Sequence, residues 1–447
     1  MNIRLTLLLV LLPLSVSPTG PLISRHVPSF ASDAAQAVQM PQMRPTVSIA
    51  SRALHASHSS NFIDEPREMY KFDGLMEMGG LYDFHEMTAS AKEAIPGLTS
   101  PFYRETGGDT LSARQLLFGA QSSVALYGLD LVAEIPVSSE LRCGLTLPLI
   151  HVEARQRYQF PVMSSDQAVS APQVEQTHRF RQALHKDLGM VQKDWVLNSV
   201  GDLTGWAEYV KTWGYVWLLR TIQVGGRLSI SGPTAKAEDV AYPASFALGN
   251  PGSWGFALSL ISRFEVKESI WFQSPLTLVA QSVATREQRL PAYAEPMAFG
   301  VIKGKVKTVP GLTLSWEPSL TMQHFIDNVH LFLGFSLTKH YADRFYDLRL
   351  APSTPSFLTR TSLPDDSAGS TLDTRSQINL TNMNRGQKRE YSAWKRSYIM
   401  LGAQYELVDL FPKLKHVPTL NLGLNYCIGA TRAARMHQIS AGLSWRF

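Results

Sequence analysis

The sequence QISAGLSWRF, residues 438–447, decides the fold class. Every second residue from Ile439 to Phe447 is apolar, and the residues between them are Ser, Gly, Ser and Arg. Because the side chains of a β-strand point alternately to its two faces, this stretch predicts a strand with one apolar face and one polar or small face. The fold is therefore expected to contain β-strands that are amphipathic along their whole length.

The same alternation recurs upstream in segments of about nine to twelve residues. This is the length that a tilted strand needs to cross a bilayer. Counting the segments predicts an all-β, antiparallel, up-and-down barrel of about twelve strands, with ten or fourteen as the alternatives. The segments lie near 122–134, 140–153, 202–211, 213–230, 253–266, 269–284, 297–309, 311–324, 329–341, 396–408, 418–430 and 436–447. A slip in the alternation between Trp217 and Ile222 is interpreted as a bulge.

Composition excludes several other classes. The 447 residues are 45% hydrophobic and 18% charged, which argues against a disordered chain or a coiled coil. The formal charge of +5 is spread along the chain, so a nucleic-acid partner is not expected. The two cysteines, Cys143 and Cys427, are too few for a disulfide scaffold, and no disulfide is expected between them.

The N-terminus has the layout of a secretory signal peptide. A positive start ending at Arg4 precedes an apolar run from Leu5 to Val16, and small residues follow. We assign residues 1–20 to the signal peptide, with cleavage between 17 and 25. The apolar run is too short to span a membrane as a helix, so export is predicted rather than anchoring.

Residues 21–114 show no sustained periodicity. We interpret them as an irregular N-terminal periplasmic extension or a plug, with a disordered tail as the alternative. His55 and His58 have a metal-like spacing here, but no carboxylate or Cys partner lies nearby, so no metal site is predicted. The barrel is assigned to 115–447, with long loops near 154–201 and 341–395.

A soluble β-sandwich also alternates, so alternation alone does not decide the architecture. Three features favour a transmembrane barrel. The polar face is rich in small, polar and charged residues, as suits a wet lumen. Short connections such as 309–311 and 431–435 alternate with very long ones, and Tyr and Trp recur near segment ends.

The chain resembles the outer-membrane β-barrels of Gram-negative bacteria in its signal peptide, its alternating segments and its aromatic-Arg-Phe end. This resemblance implies a location in the outer membrane of a diderm bacterium, with membrane lipid and the barrel-assembly machinery as partners. It also implies that Leu443, Trp445 and Phe447 form the assembly signal.

A narrower resemblance covers about 50 residues. Gly201-Asp202-Leu203, the stretch from Gly225 to Ile230, and Leu248-Gly249-Asn250-Pro251-Gly252 resemble outer-membrane transporters of the phenol-degradation and long-chain fatty-acid type. The Asn-Pro-Ala hatch pattern of the fatty-acid transporters is absent from this sequence, which weakens the resemblance to that group.

Parity along the predicted strands selects charged residues that point into the lumen. Three lysines on one face of a single strand stand out, because an ammonium group facing hydrocarbon costs about 2–4 kcal/mol near the midplane. They are expected to line water or sit at the rim, either selecting anionic solutes or pairing with carboxylates on neighbouring strands. The predicted lumen-lining residues are Arg142, Arg227, Arg263, Lys303, Lys305, Lys307, Glu317, Glu406 and Arg446, with Asp130 and Glu134 on the same face.

The sequence predicts a pore or transporter for the passive uptake of small solutes. The alternative is a surface-exposed interaction or adhesion barrel whose long loops bind a partner. The twelve histidines are scattered and match no catalytic frame, so neither enzymatic activity nor a cofactor is predicted.

Overall fold

The computed structural model describes residues 46–59, 76–77, 117–159, 189–290, 302–350, 392–408 and 418–446, together with 182. Within these ranges positions 192, 217–218, 244, 246, 251, 327 and 432–433 are excepted, and the predicted signal peptide lies outside them. The strands are β1 (Thr46–Ser59), β2 (Met76–Glu77), β3 (Leu117–Pro136), β4 (Leu141–Gln159), β5 (Trp195–Val200), β6 (Thr204–Val216), β7 (Leu219–Ser231), β8 (Gly255–Lys267), β9 (Ile270–Gln273), β10 (Leu276–Gln281), β11 (Ala284–Leu290), β12 (Ile302–Val309), β13 (Thr313–Trp316), β14 (Ser319–Ile326), β15 (Val329–His340), β16 (Arg344–Leu350), β17 (Trp394–Glu406), β18 (Thr419–Thr431) and β19 (Ala434–Arg446).

The antiparallel strand pairings form a closed ring in chain order. From β1 the wall runs through β3, β4, β6, β7 and β8, then through two interrupted segments to β15, β17, β18 and β19, which pairs with β1 again. The pairs β5 and β6, β9 and β10, and β13 and β14 each lie end to end in one wall segment, and β2, β11, β12 and β16 lie beyond the ring. Twelve wall segments result, so the predicted antiparallel, up-and-down barrel is confirmed.

The interruptions have local causes in the sequence. Pro275 separates β9 from β10, and Pro318 separates β13 from β14, because proline has no N–H to donate to a neighbouring strand. Between β5 and β6, Gly201 donates its backbone N–H to the Pro148 carbonyl at 2.7 Å. A Cβ atom on Gly201 would lie 2.5 Å from Pro148 Cγ, so a larger side chain would push the two strands apart.

The first wall segment corrects the sequence prediction for residues 46–59. We placed these residues in an N-terminal extension, but β1 lies between β3 and β19 and pairs with both along its length. Thr46 is opposite Arg446 on one side and Glu134 on the other. The strand near 122–134 is therefore the second segment of the wall and not the first, since β1 lies between it and β19.

Two other strand assignments change. The segment predicted at 297–309 does not belong to the barrel wall, because β12 pairs with β11 and β16 in a separate three-stranded sheet. Residues 310–312 are accordingly a break between β12 and β13 and not a hairpin turn. The slip after Trp217 is also no bulge within one strand, because β6 and β7 are separate strands that pair antiparallel up to Val216 and Leu219.

The two ends of the barrel differ in their connections. The end that carries Thr46 and Arg446, here called the turn end, has the connections 137–140, 217–218, 268–269, 327–328 and 407–418. Ser269 and Asn328 adopt positive φ angles of 63° and 65°, as tight hairpin turns require. The opposite loop end carries the longer segments 160–194, 232–254, 282–312 and 341–393, of which β11, β12 and β16 are part. In outer-membrane barrels the short turns are periplasmic and the long loops extracellular.

The polarity of the wall is inverted relative to a soluble protein. Large apolar side chains on the outer face stay open to the surroundings, as Leu228 (63%) and Leu260 (56%) show. On the inner face Glu208 (0%), Arg263 (3%) and Asn421 (5%) are buried. Such a surface is unfavourable in water and matches hydrocarbon outside with a polar interior.

The outer apolar belt has polar and aromatic borders. On β8, Phe256, Leu258 and Leu260 follow Trp254 at the loop end. On β4 the outward positions change from Leu149 to His151 toward the same end. No helix within the described ranges has the length and apolarity of a membrane span.

Candidate functional site

The inner face of the barrel holds a cluster of charged side chains centred on Glu208 of β6. Arg227 Nη2 lies 2.6 Å from Glu208 Oε2, and Arg263 Nη2 lies 3.3 Å from Oε1. Arg142 donates to Oε1 as well and also lies 3.0 Å from Glu134 Oε1. Three guanidinium groups therefore surround one buried carboxylate.

Strand register assembles this cluster. Glu208 on β6 is the Cα partner of Arg142 on β4 and of Arg227 on β7, and each of the three occupies an inward position. Arg263 reaches the cluster from β8, and the Arg227 guanidinium stacks 4.4 Å above the Trp206 ring. Because a buried charge is tolerated where opposite charges and hydrogen bonds compensate it, each member depends on the others.

The inner face from β15 to β19 carries mostly uncharged polar groups, together with the buried Arg396 of β17. Gln404, Asn421, Asn425 and Gln438 are all at most 5% exposed. Asn421 Nδ2 donates to Ser444 Oγ at 3.3 Å, and Asn425 Nδ2 donates to Gln438 Oε1 at 3.4 Å. Four side-chain atoms here have no protein hydrogen-bond partner: Oδ1 of each asparagine and Nε2 of each glutamine. These amides can exchange their weak contacts for water or a polar solute.

An apolar patch lines the inner wall toward the loop end. It consists of buried side chains of β3, β4 and β5: Val124, Leu126, Ile150, Val152, Ala154 and Trp195. Tyr242 and Leu248, from the segment that connects β7 to β8, pack against this patch. The connecting segment 232–254 therefore enters the barrel mouth and covers part of the inner wall.

Hydrogen bonds hold both ends of segment 232–254 in place. Asp202 Oδ1 accepts the backbone N–H of Ala235 at 2.9 Å, and Oδ2 accepts that of Asn250. Asn250 Nδ2 donates to Ser231 Oγ at 2.8 Å, and Gln281 Nε2 donates to Asn250 Oδ1 at 2.7 Å. A single carboxylate thus joins residues fifteen positions apart in the segment.

The middle of segment 232–254 is held from another side. Arg289 of β11 donates to the Val240 carbonyl through Nε and to the Gly189 carbonyl at 3.3 Å through Nη2. Val191 donates its N–H to the Ala241 carbonyl at 2.7 Å. Burial lowers the pKa of the Arg289 guanidinium to about 10, and Arg289 stays charged at neutral pH.

Thr313, His340 and Asp343 form a chain of hydrogen bonds that the sequence did not reveal. His340 Nδ1 lies 2.7 Å from Thr313 Oγ1, and His340 Nε2 lies 3.0 Å from Asp343 Oδ1. Asp343 Oδ1 also accepts the Gly311 N–H at 2.8 Å. All three residues are at most 4% exposed, and the chain of hydrogen bonds ties the break before β13 to the break after β15.

The remaining predicted lumen residues are dispersed. Glu317 accepts hydrogen bonds from Ser315 and Ser336, and Glu406 lies 3.5 Å from His330 Nε2. Asp130 is buried on the inner face, and Arg446 ends β19 with its side chain outside the described part.

The three lysines of β12 do not line the barrel lumen; they lie at its rim, which was the alternative expectation. They lie in the three-stranded sheet at the loop end, where Lys305 and Lys307 are exposed and Lys303 lies 3.3 Å from Glu287 on β11. Alternation along the strand indicated which face the lysines occupy. It could not show that the strand lies beyond the barrel wall, because alternation gives the face of a strand and not its position along the barrel axis.

The predicted assembly signal and cysteines are placed as follows. Leu443 and Trp445 point outward with 41% and 37% exposure, while Phe447 falls outside the described residues. Cys143 and Cys427 are both free thiols. Within the described ranges no group of three His, Cys, Asp or Glu side chains is arranged to hold a metal ion.

A closed, antiparallel barrel that is apolar outside and polar inside belongs to the class of outer-membrane β-barrels. No protein-family model matches the chain, and no curated protein matches its sequence.

Among solved structures the chain is similar to an outer membrane channel from Pseudomonas putida F1, with TM-score 0.42 and 9% identity over 91% of this chain and 96% of that one. It is also similar to the translocator domain of the autotransporter NalP from Neisseria meningitidis, with TM-score 0.38 and 10% identity over 93% of each chain. A Pseudomonas aeruginosa FadL homologue matches with TM-score 0.33 and 8% identity over 97% of this chain and 99% of that one.

Proposed function

We propose that this protein is a channel for the passive uptake of small solutes across the outer membrane. The supporting observation is the polar inner wall, where Arg142, Arg227 and Arg263 surround Glu208 opposite a face of partly unpaired amides. A barrel that serves as an anchor alone could fill its interior with apolar side chains, which is often more stable than buried ion pairs. A polar lining is instead what a hydrated path requires.

In this proposal segment 232–254 gates the channel at its loop end, where it covers part of the inner wall. Tyr242 and Leu248 rest on the inner apolar patch, and Asp202 holds Ala235 and Asn250 in place. Passage of a solute would require this segment to move away from the wall. Hydrogen bonds to a carboxylate can set such an equilibrium, because each contributes about 1.5–3 kcal/mol.

Recording single-channel currents of the full chain in planar bilayers tests this function. Discrete conductance steps, more frequent in Asp202→Ala than in the unmodified protein, would support the gated channel. Silence of both proteins at all voltages would contradict it. Any N-terminal deletion used in such an experiment must keep residues 46–59, because they form part of the wall.

A second function, binding of a partner by the loops, is favoured by the sheet of β11, β12 and β16. This sheet extends the wall beyond the barrel and presents exposed side chains such as Lys305 and Tyr346. Two results together would favour this function. The protein would give no current in bilayers, and it would bind an isolated envelope component with an affinity that falls when these side chains are changed.

A further inference from the structure

The outward face of the barrel carries a concentration of positive charge at the loop end. We define the basic rim patch as five exposed residues of β12, β15, β16 and β17: Lys305, Lys307, Lys339, Arg344 and Lys395. β15 pairs with β17 and β12 pairs with β16, and only residues 341–343 separate β15 from β16 along the chain. The patch therefore occupies one sector of the rim.

Strand parity shows that Lys339 and Lys395 of this patch face away from the lumen. Lys339 lies on the same face of β15 as Leu333, which is 52% exposed on the apolar belt. Lys395 lies on the same face of β17 as Ile399 and Leu401. The lysines thus continue the lipid-facing surface just beyond its apolar part.

The register brings like charges together. Lys339 and Lys395 are direct Cα partners on β15 and β17, whereas Lys305 on β12 has Glu287 on β11 as one of its Cα partners. Like charges opposite each other on antiparallel strands destabilise a sheet. An anion bound between them would convert this repulsion into attraction.

Aromatic side chains accompany the charges. Tyr341 (47%) and Tyr346 (42%) are exposed within the patch, and Lys339 Nζ lies 4.7 Å from the centre of the Tyr341 ring. Tyr is typical of the membrane–water interface, where its ring meets lipid and its hydroxyl meets water. The patch therefore lies at the height of lipid headgroups.

From these observations we infer that the basic rim patch binds the phosphate groups of an anionic lipid in the outward-facing leaflet. The apolar belt below it would contact the acyl chains of the same lipid. Charge complementarity and continuity with the belt favour a lipid over a free anion. This inference requires the barrel fold but does not depend on transport.

Titration of the purified, folded full chain in detergent with bisphosphorylated lipid A, followed by native mass spectrometry, tests the inference. The double variant Lys339→Gln/Lys395→Gln should bind lipid A about tenfold more weakly, as should Lys305→Gln/Lys307→Gln. The matched control is Arg155→Gln, a loop-end cation on β4 that lies 3.3 Å from Glu153 and should leave binding within about twofold. Heat-modifiable migration checks that each variant is folded.

Three results would overturn the inference. Unchanged binding by both double variants would remove the patch as the site. Equal binding of dephosphorylated lipid A would assign the affinity to the acyl chains. Displacement of lipid A by inorganic phosphate at equal concentration would show that the patch recognises a free anion and not a lipid.

Discussion

Glu208 and Arg263 lie on strands separated by β7, yet their side chains meet inside the barrel, with Arg263 Nη2 3.3 Å from Glu208 Oε1. Both residues are at most 3% exposed. Their contact links three wall segments from the inside, in addition to the backbone hydrogen bonds between neighbouring strands. The charged cluster therefore stabilises the wall as well as lining it.

Replacing Glu208 by Gln should destabilise the barrel strongly. The change leaves three guanidinium groups around a neutral amide, and breaking a buried ion pair costs about 3–5 kcal/mol. Urea unfolding in lipid vesicles, followed by tryptophan fluorescence, measures the loss of unfolding free energy. Glu153→Gln is the control, since this half-exposed carboxylate lies 3.3 Å from Arg155 and should contribute less than about 1 kcal/mol. Equal effects of the two changes would contradict the role assigned to the cluster.

Asp202→Ala should open the channel more often. It removes the acceptor of the Ala235 and Asn250 N–H groups, and because each of these bonds contributes about 1.5–3 kcal/mol the open fraction should rise by at least about tenfold. Single-channel recording gives the open fraction directly. Glu268→Gln at the turn end, where the carboxylate lies 3.0 Å from Arg220, should leave it unchanged. An open fraction that does not respond to Asp202→Ala would show that segment 232–254 is not the gate.

Much of the wall could be predicted because lipid imposes a simple rule on the outer face. Wherever Leu, Ile, Trp or Phe recur at every second position, as in β8 and β18, the strand was found with nearly correct bounds. The first strand escaped detection because its outward residues include Ser51 and Ala53, which give a weak alternation. Its place depends on two distant partners that only the folded chain brings together.

The site was predictable in part for a related reason. Parity selected Arg142, Arg227 and Arg263, but not the carboxylate that joins them. Glu208 is fixed by the register of β4, β6 and β7, which the sequence of one strand does not specify. The hydrogen bond from the Asn250 N–H to Asp202 likewise joins residues 48 positions apart.

A charge on β1 should show that this strand faces lipid. Ala53 lies in the middle of β1, opposite Ile439 and Tyr127, and Ala53→Arg should cost about 2–4 kcal/mol of unfolding free energy. Val283→Arg, at the loop end of the wall, should cost about 1 kcal/mol or less. Urea titration of both variants in vesicles compares them, and a smaller cost for Ala53→Arg would argue against β1 as a membrane strand.

Deletion of Phe447 should lower the yield of folded barrel in the membrane. The resemblance to outer-membrane proteins implies that the assembly machinery reads this end, together with the outward-facing Leu443 and Trp445. Heat-modifiable protein in the outer-membrane fraction, at matched synthesis, gives the yield. Leu372→Ala in the 341–395 segment serves as the comparison, and equal yields would refute an assembly signal at the C-terminus.

The most direct test of the account is disulfide cross-linking across the seam formed by β1. Ile49 is the Cα partner of Leu443 on β19 and of Leu131 on β3. In a background with Cys143 and Cys427 replaced by Ser, the pair Ile49→Cys and Leu443→Cys should cross-link in the folded membrane protein, and so should Ile49→Cys with Leu131→Cys. The pair Leu131→Cys and Leu443→Cys should not, because β1 separates these two positions. Cross-linking of 131 with 443, and not of 49 with either, would contradict a barrel closed by residues 46–59.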